Sequence, residues 1–170
     1  MEIRLATPND VPKILEVIDQ ARQIMRETGN MTQWSNGYPS HEIILNDIEP
    51  GNGFVCEIDG EIVGYFHFSH GQNPEPTYSV IENGQWLNDE PYGVIHRLAS
   101  GRTAKGIAKA AFDYAFSIID TIRVDTHHEN IPMQNFLKKT GFTYCGIIYV
   151  NDGTPRDAFQ KDRFAERPLR

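Results

Sequence analysis

A run of small and basic residues, placed between a strand-like and a helix-like segment, is the part of this sequence best suited to chemistry. The run reads Ser100-Gly101-Arg102-Thr103-Ala104-Lys105-Gly106-Ile107-Ala108. Free backbone N–H groups at the start of a helix bind phosphate well, and small residues let a ligand approach the backbone. The pattern therefore predicts a phosphate-binding loop.

Two common phosphate-binding motifs do not fit this run. Gly101 and Gly106 have the glycine spacing of a P-loop, but Ile107-Ala108 stand where that motif needs Lys followed by Ser or Thr. The GxGxxG fingerprint of a dinucleotide-binding fold is also absent near the first strand. Neither of these two motifs therefore describes how this run would bind a phosphorylated ligand.

The elements that must position this loop follow from the periodicity of apolar residues. Helices are predicted over about 8–28, 41–49, 108–119 and 129–140. Strands are predicted over 3–6, 54–58, 61–69, 92–99, 121–126, 142–150 and 156–161. Asp59-Gly60 predicts a tight hairpin turn, and the segment 142–150, apolar on both faces, is predicted to lie centrally in a sheet.

The order of these elements indicates a mixed α/β domain with a central sheet. The segment 92–126 has the form of a right-handed βαβ crossover. A chain of 170 residues suits one domain. We expect that domain over residues 1–161, followed by a polar C-terminal tail over 162–170.

The sequence resembles the GNAT N-acetyltransferase superfamily at three places. The family's pyrophosphate loop has the pattern Gln/Arg-x-x-Gly-x-Gly/Ala, which residues 103–108 match at Gly106 and Ala108. Thr103 departs from the pattern at its first position, with Arg102 one residue earlier. Asn130 and Gly141-Phe142 match the start and end of the family's fourth helix, and residues 3–10 resemble its opening. The matches together span about residues 1–161.

The resemblance implies a fold and a cosubstrate. The fold would be a GNAT-like mixed central β-sheet of about seven strands flanked by about four helices, with a V-shaped split between the fourth and fifth strands. Acetyl-CoA would lie in that split as the acetyl donor, and no metal is expected. The residues implied to bind it are Leu98, Ala99, Arg102, Thr103, Ala104, Lys105, Gly106, Ile107, Ala108, Asn130, Met133 and Phe136.

The implied reaction is direct attack of a neutral amine on the thioester, which needs a base and an acid. His96, on the strand expected beside the acetyl group, is the predicted base, and His67 is a second candidate. A backbone N–H near Leu98 would polarise the thioester carbonyl. The family's usual acid is a Tyr whose aligned position here is Leu137. Tyr144 is therefore a predicted acid, and Tyr149 and water stay open.

The acceptor is expected to be a primary amine of a small molecule or a peptide, since polyamines, amino sugars, amino acids and peptide amines all fit the resemblance. The resemblance implies that aromatic side chains of this sequence line the pocket for the acceptor. These are Trp34, Tyr38, Tyr65, Tyr78 and Trp86. Because Leu137 replaces the usual acid, a noncatalytic acyl-CoA-binding or regulatory module is the alternative.

Composition narrows the remaining classes of function. The chain has 16 Lys and Arg against 23 Asp and Glu, a net charge of -7, which disfavours nonspecific binding to nucleic acid and mildly favours a cationic acceptor. No apolar run approaches the ~18 residues of a membrane span, and the first residues lack the apolar core of a secretory signal. We therefore expect neither a nucleic-acid nor a membrane partner; monomer and homodimer both stay open.

Cysteine and histidine usage is consistent with a cytoplasmic protein without a metal. Cys56 and Cys145 lie far apart with no CxxC pairing, so both are predicted to be reduced and buried. Asp125 and the segment 127–129 could suggest metal ligands, but sequential residues rarely converge on one ion. No metal site is predicted.

Overall fold

The computed structural model describes residues 1–164 and contains seven strands and four α-helices. The strands are β1 Glu2–Leu5, β2 Gly53–Ile58, β3 Glu61–Gly71, β4 Tyr92–Ser100, β5 Thr121–Thr126, β6 Thr143–Tyr149 and β7 Pro155–Asp162. The helices are α1 Val11–Glu27, α2 His41–Ile48, α3 Ile107–Phe116 and α4 Ile131–Lys139. The predicted elements are confirmed, with boundaries that differ by at most three residues.

One mixed sheet contains all seven strands, in the order β1-β2-β3-β4-β5-β7-β6. The pair β4–β5 is parallel, with Gly93 opposite Ile122 and Val94 opposite Arg123. The pairs β1–β2, β2–β3, β5–β7 and β6–β7 are antiparallel. The predicted mixed α/β fold of about seven strands and four helices is confirmed.

The chain divides into two compact units. The first contains Met1–Phe68 and Ile95–Tyr114, and the second contains 69–94 and 115–164 of the described residues. β7 extends to Asp162, one residue past the predicted domain limit. The rest of the predicted polar tail includes 165–170, which lie outside the described residues, so the domain limits stay a prediction.

The first unit is built around the apolar face of α1. Ile14 and Ile18 are fully buried and pack in one cluster with Ile44 of α2, Val55 of β2 and Tyr65 of β3. Apolar residues spaced three to four apart put these side chains on one stripe of the helix. Burial of this stripe against the sheet holds the two strands and two helices together.

Two local contacts in the first unit determine where α2 begins and where the β2–β3 hairpin turns, the latter as the sequence predicts. The Ser40 hydroxyl accepts a hydrogen bond of 3.3 Å from the backbone N–H of Ile43, which caps the start of α2. Asp59 and Gly60 both adopt positive φ, at 52° and 79°. That conformation is required at both central positions of a type I′ hairpin turn. The turn sets the pairing of β2 with β3.

One sequence prediction is wrong in the second unit. β6 is predicted to be central but lies at the edge of the sheet, after β7. Its other side is covered by the loop that follows β3: Glu82 and Ile147 exchange backbone hydrogen bonds of 2.9 and 2.8 Å. A Cβ on Gly84 would lie only 2.0 Å from the Cys145 carbonyl oxygen, so this loop crosses the strand very closely. A loop, rather than a further strand, therefore protects this edge of the sheet.

Candidate active site

The segment between β4 and α3 leaves the sheet at Gly101. The backbone N–H of Gly101 donates to the Val63 carbonyl at 2.9 Å. A Cβ at Gly101 would lie 2.9 Å from the side-chain oxygen of Gln20 and 3.2 Å from the same Val63 oxygen. A side chain here would have to displace the Gln20 amide and would crowd the Val63 carbonyl, so glycine is favoured where the chain leaves the sheet.

Gly106 marks the start of α3. Its φ is +82°, which strongly favours glycine, and its carbonyl accepts the N–H of Ala110 at 3.0 Å. No heavy atom of the chain lies within 4 Å of the place where a Cβ would stand. The N–H groups of the first turn of a helix have no partner within the helix, and they attract anions. The open helix start is compatible with a phosphate group, and phosphate binding by this loop stays a prediction.

Arg102 of this loop is held on α1. Its guanidinium forms an ion pair with Glu27, and its backbone N–H donates to Gln20 at 2.9 Å. Hydrogen bonding to the Glu27 carboxylate raises the pKa of Arg102, and the same bond lowers the pKa of Glu27. Lys105 is exposed. The predicted contacts of Arg102 and Lys105 with the cofactor stay predictions.

Both candidate base histidines lie in the first unit, where β3 and β4 are neighbours. The imidazole rings of His67 and His96 stack with their centroids 5.5 Å apart and their planes at 29°. Both residues are half-buried, and Nδ1 of His67 is shielded from solvent. The structure thus places the two candidate base side chains next to each other, on neighbouring strands. Their roles in the reaction stay predictions.

The backbone of β4 bends directly after His96. Arg97 has a φ of 51°, in the left-handed region that a non-glycine residue adopts only at a cost of about 1–3 kcal/mol. The bend lies between His96 and Leu98, the two residues that the sequence predicts to act on the acceptor and on the thioester. Such a conformation persists only where surrounding contacts hold it in place.

An ion pair supplies those contacts. Arg97 donates from Nε to Oδ2 of Asp47 at 2.7 Å and from Nη2 to Oδ1 at 2.5 Å. Asp47, in the last turn of α2, also accepts a bond of 2.8 Å from the Tyr65 hydroxyl. The Nη1 of Arg97 donates to the Tyr38 hydroxyl at 3.0 Å. The two charged side chains are only 15% and 7% exposed, so this is a largely buried, fork-shaped pair.

Burial shifts the acid–base behaviour of this cluster. Desolvation, followed by the charge of Asp47, raises the pKa of Tyr65 well above its usual value. The hydrogen bonds and charges of Asp47 and Tyr38 outweigh desolvation and raise the pKa of Arg97. Tyr65 therefore remains a neutral hydroxyl donor and Arg97 a cation at any physiological pH. Sequence reasoning missed Asp47 and Arg97, since no local pattern links residues 50 positions apart.

The predicted acceptor residues of the first unit differ in exposure. Tyr38 is 39% exposed, whereas Trp34 and Tyr65 lie in the core cluster. Trp34 has a φ of 56°, and its carbonyl accepts a bond of 3.3 Å from Arg26. Only Tyr38 of these three presents a large surface to a ligand. Contact with an acceptor stays a prediction for all three.

In the second unit, Tyr78 and Trp86 pack against each other. The Tyr78 hydroxyl donates to the Asp125 carboxylate at 2.6 Å, and the indole N–H of Trp86 donates to the Tyr78 carbonyl at 2.8 Å. Arg123 stacks over Trp86 and over Tyr92, at 4.4 and 4.3 Å from their centroids. These contacts anchor the loop before β4, which is a structural role. Roles of Tyr78 and Trp86 in acceptor binding stay predictions.

Comparison with known proteins identifies the family. Residues 1–143 match the family model of the acetyltransferase (GNAT) domain. The chain belongs to the GNAT acetyltransferase family. A GNAT-family acetyltransferase from Streptococcus agalactiae is 34% identical over 95% of this chain and 94% of that one, with a TM-score of 0.84.

Two more distant GNAT-like structures support the fold alone. A GNAT-family acetyltransferase from Listeria monocytogenes is 22% identical over 95% of this chain and 94% of that chain, with a TM-score of 0.68. A ribosomal-protein-alanine N-acetyltransferase from Brucella melitensis is 16% identical over 95% of this chain and 99% of that chain, with a TM-score of 0.60. No match is found among curated proteins.

The fourth helix of this GNAT domain begins as its family motif predicts. The Asn130 side chain accepts the backbone N–H of Met133 at 3.2 Å, which caps α4. Gly141, just past the helix end, has a φ of 93°. Met133 and Phe136 are half-buried. Helix capping is enough to explain an asparagine at position 130. The cofactor roles of Asn130, Met133 and Phe136 therefore stay predictions.

The acid of this GNAT domain cannot be Leu137, because that side chain is aliphatic and fully buried. Tyr144, on β6, is 48% exposed, and its ring meets Phe159 edge-on at 5.7 Å. Burial and then the Asp157 carboxylate raise the pKa of Tyr144, so its hydroxyl keeps its proton at neutral pH. Tyr149 donates instead to Glu82, at 2.9 Å. Tyr144 stays the predicted acid.

Metal and membrane features are absent from the described part of this GNAT chain. Within residues 1–164, no group of three or more His, Cys, Asp or Glu side chains could hold a metal ion. Over the same residues, no helix is both long and apolar enough to cross a bilayer. The expectations of no metal, no membrane partner and a cytoplasmic location stay predictions.

Proposed function

We propose that this GNAT domain is an N-acetyltransferase that moves an acetyl group from acetyl-CoA to a primary amine of a small molecule or peptide. The observation that carries the proposal is the stacked pair of His67 and His96 at a bend of β4. The glycine-bounded loop to α3 lies in the same unit. Together with the family, these features supply a candidate base and a candidate phosphate site.

The loop is proposed to hold the pyrophosphate of the cosubstrate. Backbone N–H groups of residues 104–108 would donate to phosphate oxygens, and Gly106 leaves the space that those oxygens need. Arg102 and Lys105 would add positive charge. The backbone of Leu98 and Ala99 would pair with the pantetheine arm. Residues 130–136 of α4 are proposed from the family motif to flank the same arm.

Acetyl-CoA supplies the acetyl group as a thioester, which a neutral amine attacks directly. A bond forms between the amine nitrogen and the carbonyl carbon, and the bond from that carbon to sulfur breaks. His96 would take the proton that the ammonium form of the acceptor must lose. Tyr144 would return a proton to the leaving thiolate, with water as the alternative donor, and the second proton, which the nitrogen loses after attack, would replace the one given to sulfur. The Leu98 N–H would stabilise the negative charge that develops on the carbonyl oxygen.

A cationic acceptor suits the chain. The net charge of -7 attracts amines over long range and raises their local concentration. Tyr38, exposed beside the ion pair of Asp47 and Arg97, is the aromatic side chain of the first unit best placed to contact such an acceptor. Polyamines, amino sugars, amino acids and peptide amines all belong in the first screen.

A noncatalytic acyl-CoA-binding or regulatory module is the second candidate, and the buried Leu137 is the observation that favours it. A chain without the usual acid can keep the cosubstrate site and lose turnover. Both candidates predict binding of acetyl-CoA, but only the transferase predicts transfer of the acetyl group to an amine.

An amine screen separates them. The purified protein is mixed with acetyl-CoA and each amine in turn, release of the CoA thiol is followed, and the product is identified by mass. Acceptor-dependent release above the no-enzyme control supports the transferase. Micromolar binding of acetyl-CoA without release across the panel favours the noncatalytic module. Absence of binding contradicts both.

A further inference from the structure

The left-handed bend of β4 at Arg97 is a strained feature that three hydrogen bonds maintain. Nothing about arginine favours a φ of 51°. The guanidinium nevertheless sits in a fork with Asp47 and touches the Tyr38 hydroxyl. The contacts reach β4 from outside the sheet: from α2 through Asp47 and from the loop before α2 through Tyr38.

Two consequences of the bend reach the proposed chemistry. Side chains alternate between the faces of a regular strand, and a residue in the left-handed region breaks that alternation. The bend therefore determines the direction of the His96 ring relative to His67. It also orients the backbone N–H of Leu98, which follows directly. If φ of Arg97 became negative, both groups would turn together.

We propose that Asp47 is a positioning residue, which holds the β4 bend through Arg97 and thereby orients His96 and the Leu98 N–H for acetyl transfer. The inference rests on the proposed function. Asp47 itself is assigned no contact with either reactant. Its carboxylate holds Arg97 at a left-handed φ, which the strand would not keep without this contact.

The alternative role of the pair is general stability, which any buried ion pair has once formed, because removing one partner strands a charge. The two roles make different demands on residue 97. A purely stabilising pair needs the guanidinium, whatever the backbone does. A positioning pair needs the left-handed φ, which glycine adopts without a steric penalty.

Replacing Arg97 by alanine or by glycine separates these demands. Both substitutions remove the guanidinium, but only Arg97→Gly keeps the left-handed bend accessible. We expect kcat to fall by at least about tenfold in Arg97→Ala, since small misplacements of reacting groups are costly. In Arg97→Gly we expect kcat close to that of the unsubstituted protein. KM for acetyl-CoA should change little in either.

Asp47→Ala should lower kcat as Arg97→Ala does, and in the Arg97→Gly background it should have little further effect. Asp47→Asn keeps the shape and one acceptor oxygen, and serves if the alanine variant fails to fold. Asp113→Ala is the matched control, because it breaks an exposed ion pair with Lys109 in the same unit. Thermal melts confirm that every variant is folded at the assay temperature.

A second readout does not depend on turnover. NMR signals of the His96 ring, assigned by their loss in His96→Ala, should move in Arg97→Ala and Asp47→Ala and stay in place in Arg97→Gly. If the unsubstituted protein transfers no acetyl group, the proposed function fails, and the ring signals still show whether Asp47 holds the bend. Equal loss of kcat in the alanine and glycine variants overturns the positioning role. So do unmoved His96 signals in Asp47→Ala.

Discussion

The imidazole rings of His67 and His96 lie face to face, with their centroids 5.5 Å apart. Both come from neighbouring strands of the first unit, and the strand that carries His96 bends immediately afterwards at Arg97. The stacking contact restricts the orientation of both rings, which are the two candidate bases. In the proposed reaction, His96 is the ring that accepts the proton.

His96→Ala should lower kcat by about 10²–10⁴-fold, the usual contribution of a general base, and leave the affinity for acetyl-CoA unchanged. His67→Ala should lower kcat by a smaller factor, because the base itself remains. The steady-state rates with the best acceptor of the screen give both values. His41→Ala, an exposed histidine at the start of α2, is the control. A larger loss in His67→Ala than in His96→Ala would reverse the assignment.

Arg102 is tied to Glu27 in this structure, so its charge reaches a phosphate only after that ion pair opens. Arg102→Ala should weaken acetyl-CoA binding by about tenfold, the value of one lost charge-assisted hydrogen bond. Glu27→Gln should strengthen binding by less than about fivefold, because exposed ion pairs are weak. Calorimetric titration measures both.

The matched control for Glu27 is Asp19→Asn, which breaks another exposed ion pair of α1, that with Arg22. Its affinity for acetyl-CoA should equal that of the unsubstituted protein. Unchanged binding in Arg102→Ala would mean that Arg102 only anchors the loop to α1.

Both cysteine thiols should be inert in the folded protein. Cys56 and Cys145 are 0% and 4% exposed, and burial raises the pKa of each thiol to about 11. A raised pKa lowers the thiolate fraction at pH 8 by roughly two orders of magnitude relative to an ordinary thiol. Reaction with a chromogenic disulfide should therefore be slow until denaturant is added. Fast labelling of Cys145, with loss of activity, would instead point to an acyl-carrier role.

The N-terminal turn should respond to acid. Asp10 accepts hydrogen bonds from Arg4 and from the Thr7 backbone, chiefly the former, and these lower the pKa of its carboxyl to about 2. The folded pKa lies below the unfolded one, so this contribution to stability is present above pH 3.8 and is lost as the pH falls towards 2.

Asp10→Asn should therefore lower the melting temperature at neutral pH and make melting less sensitive to pH in that window. Glu16→Gln, an exposed carboxylate of α1, provides the control. An identical pH dependence of melting in Asp10→Asn and in the unsubstituted protein would show that Asp10 does not stabilise the turn.

The position of the turn between β4 and α3 was predictable because its signal is local. Gly101, Gly106 and the small residues between a strand and a helix carry their backbone requirements in the sequence itself. The start of α4 at Asn130 was predictable for the same reason, since an N-cap is a contact over three residues. The candidate base could be chosen by residue type.

The anchor of β4 was not predictable, because it depends on contacts between distant residues and on an uncommon backbone conformation. Asp47 reads as one more polar residue near a helix end, and arginine is not a residue in which a positive φ is expected. The edge position of β6 was missed for a related reason. The segment around Glu82 pairs with its outer edge, and this contact between distant residues has no local signal in the sequence.

The cosubstrate assignment is tested most directly by calorimetric titration with acetyl-CoA of the unsubstituted protein, Gly106→Asp and Gly153→Asp. Both glycines have a left-handed φ, +82° and +84°, and no heavy atom lies within 4 Å of the place where a Cβ would stand, so the two substitutions carry the same strain and charge. Only Gly106 lies in the proposed pyrophosphate loop. We predict micromolar binding that Gly106→Asp abolishes and Gly153→Asp preserves. No binding at millimolar acetyl-CoA, or equal loss in both variants, would contradict the assignment.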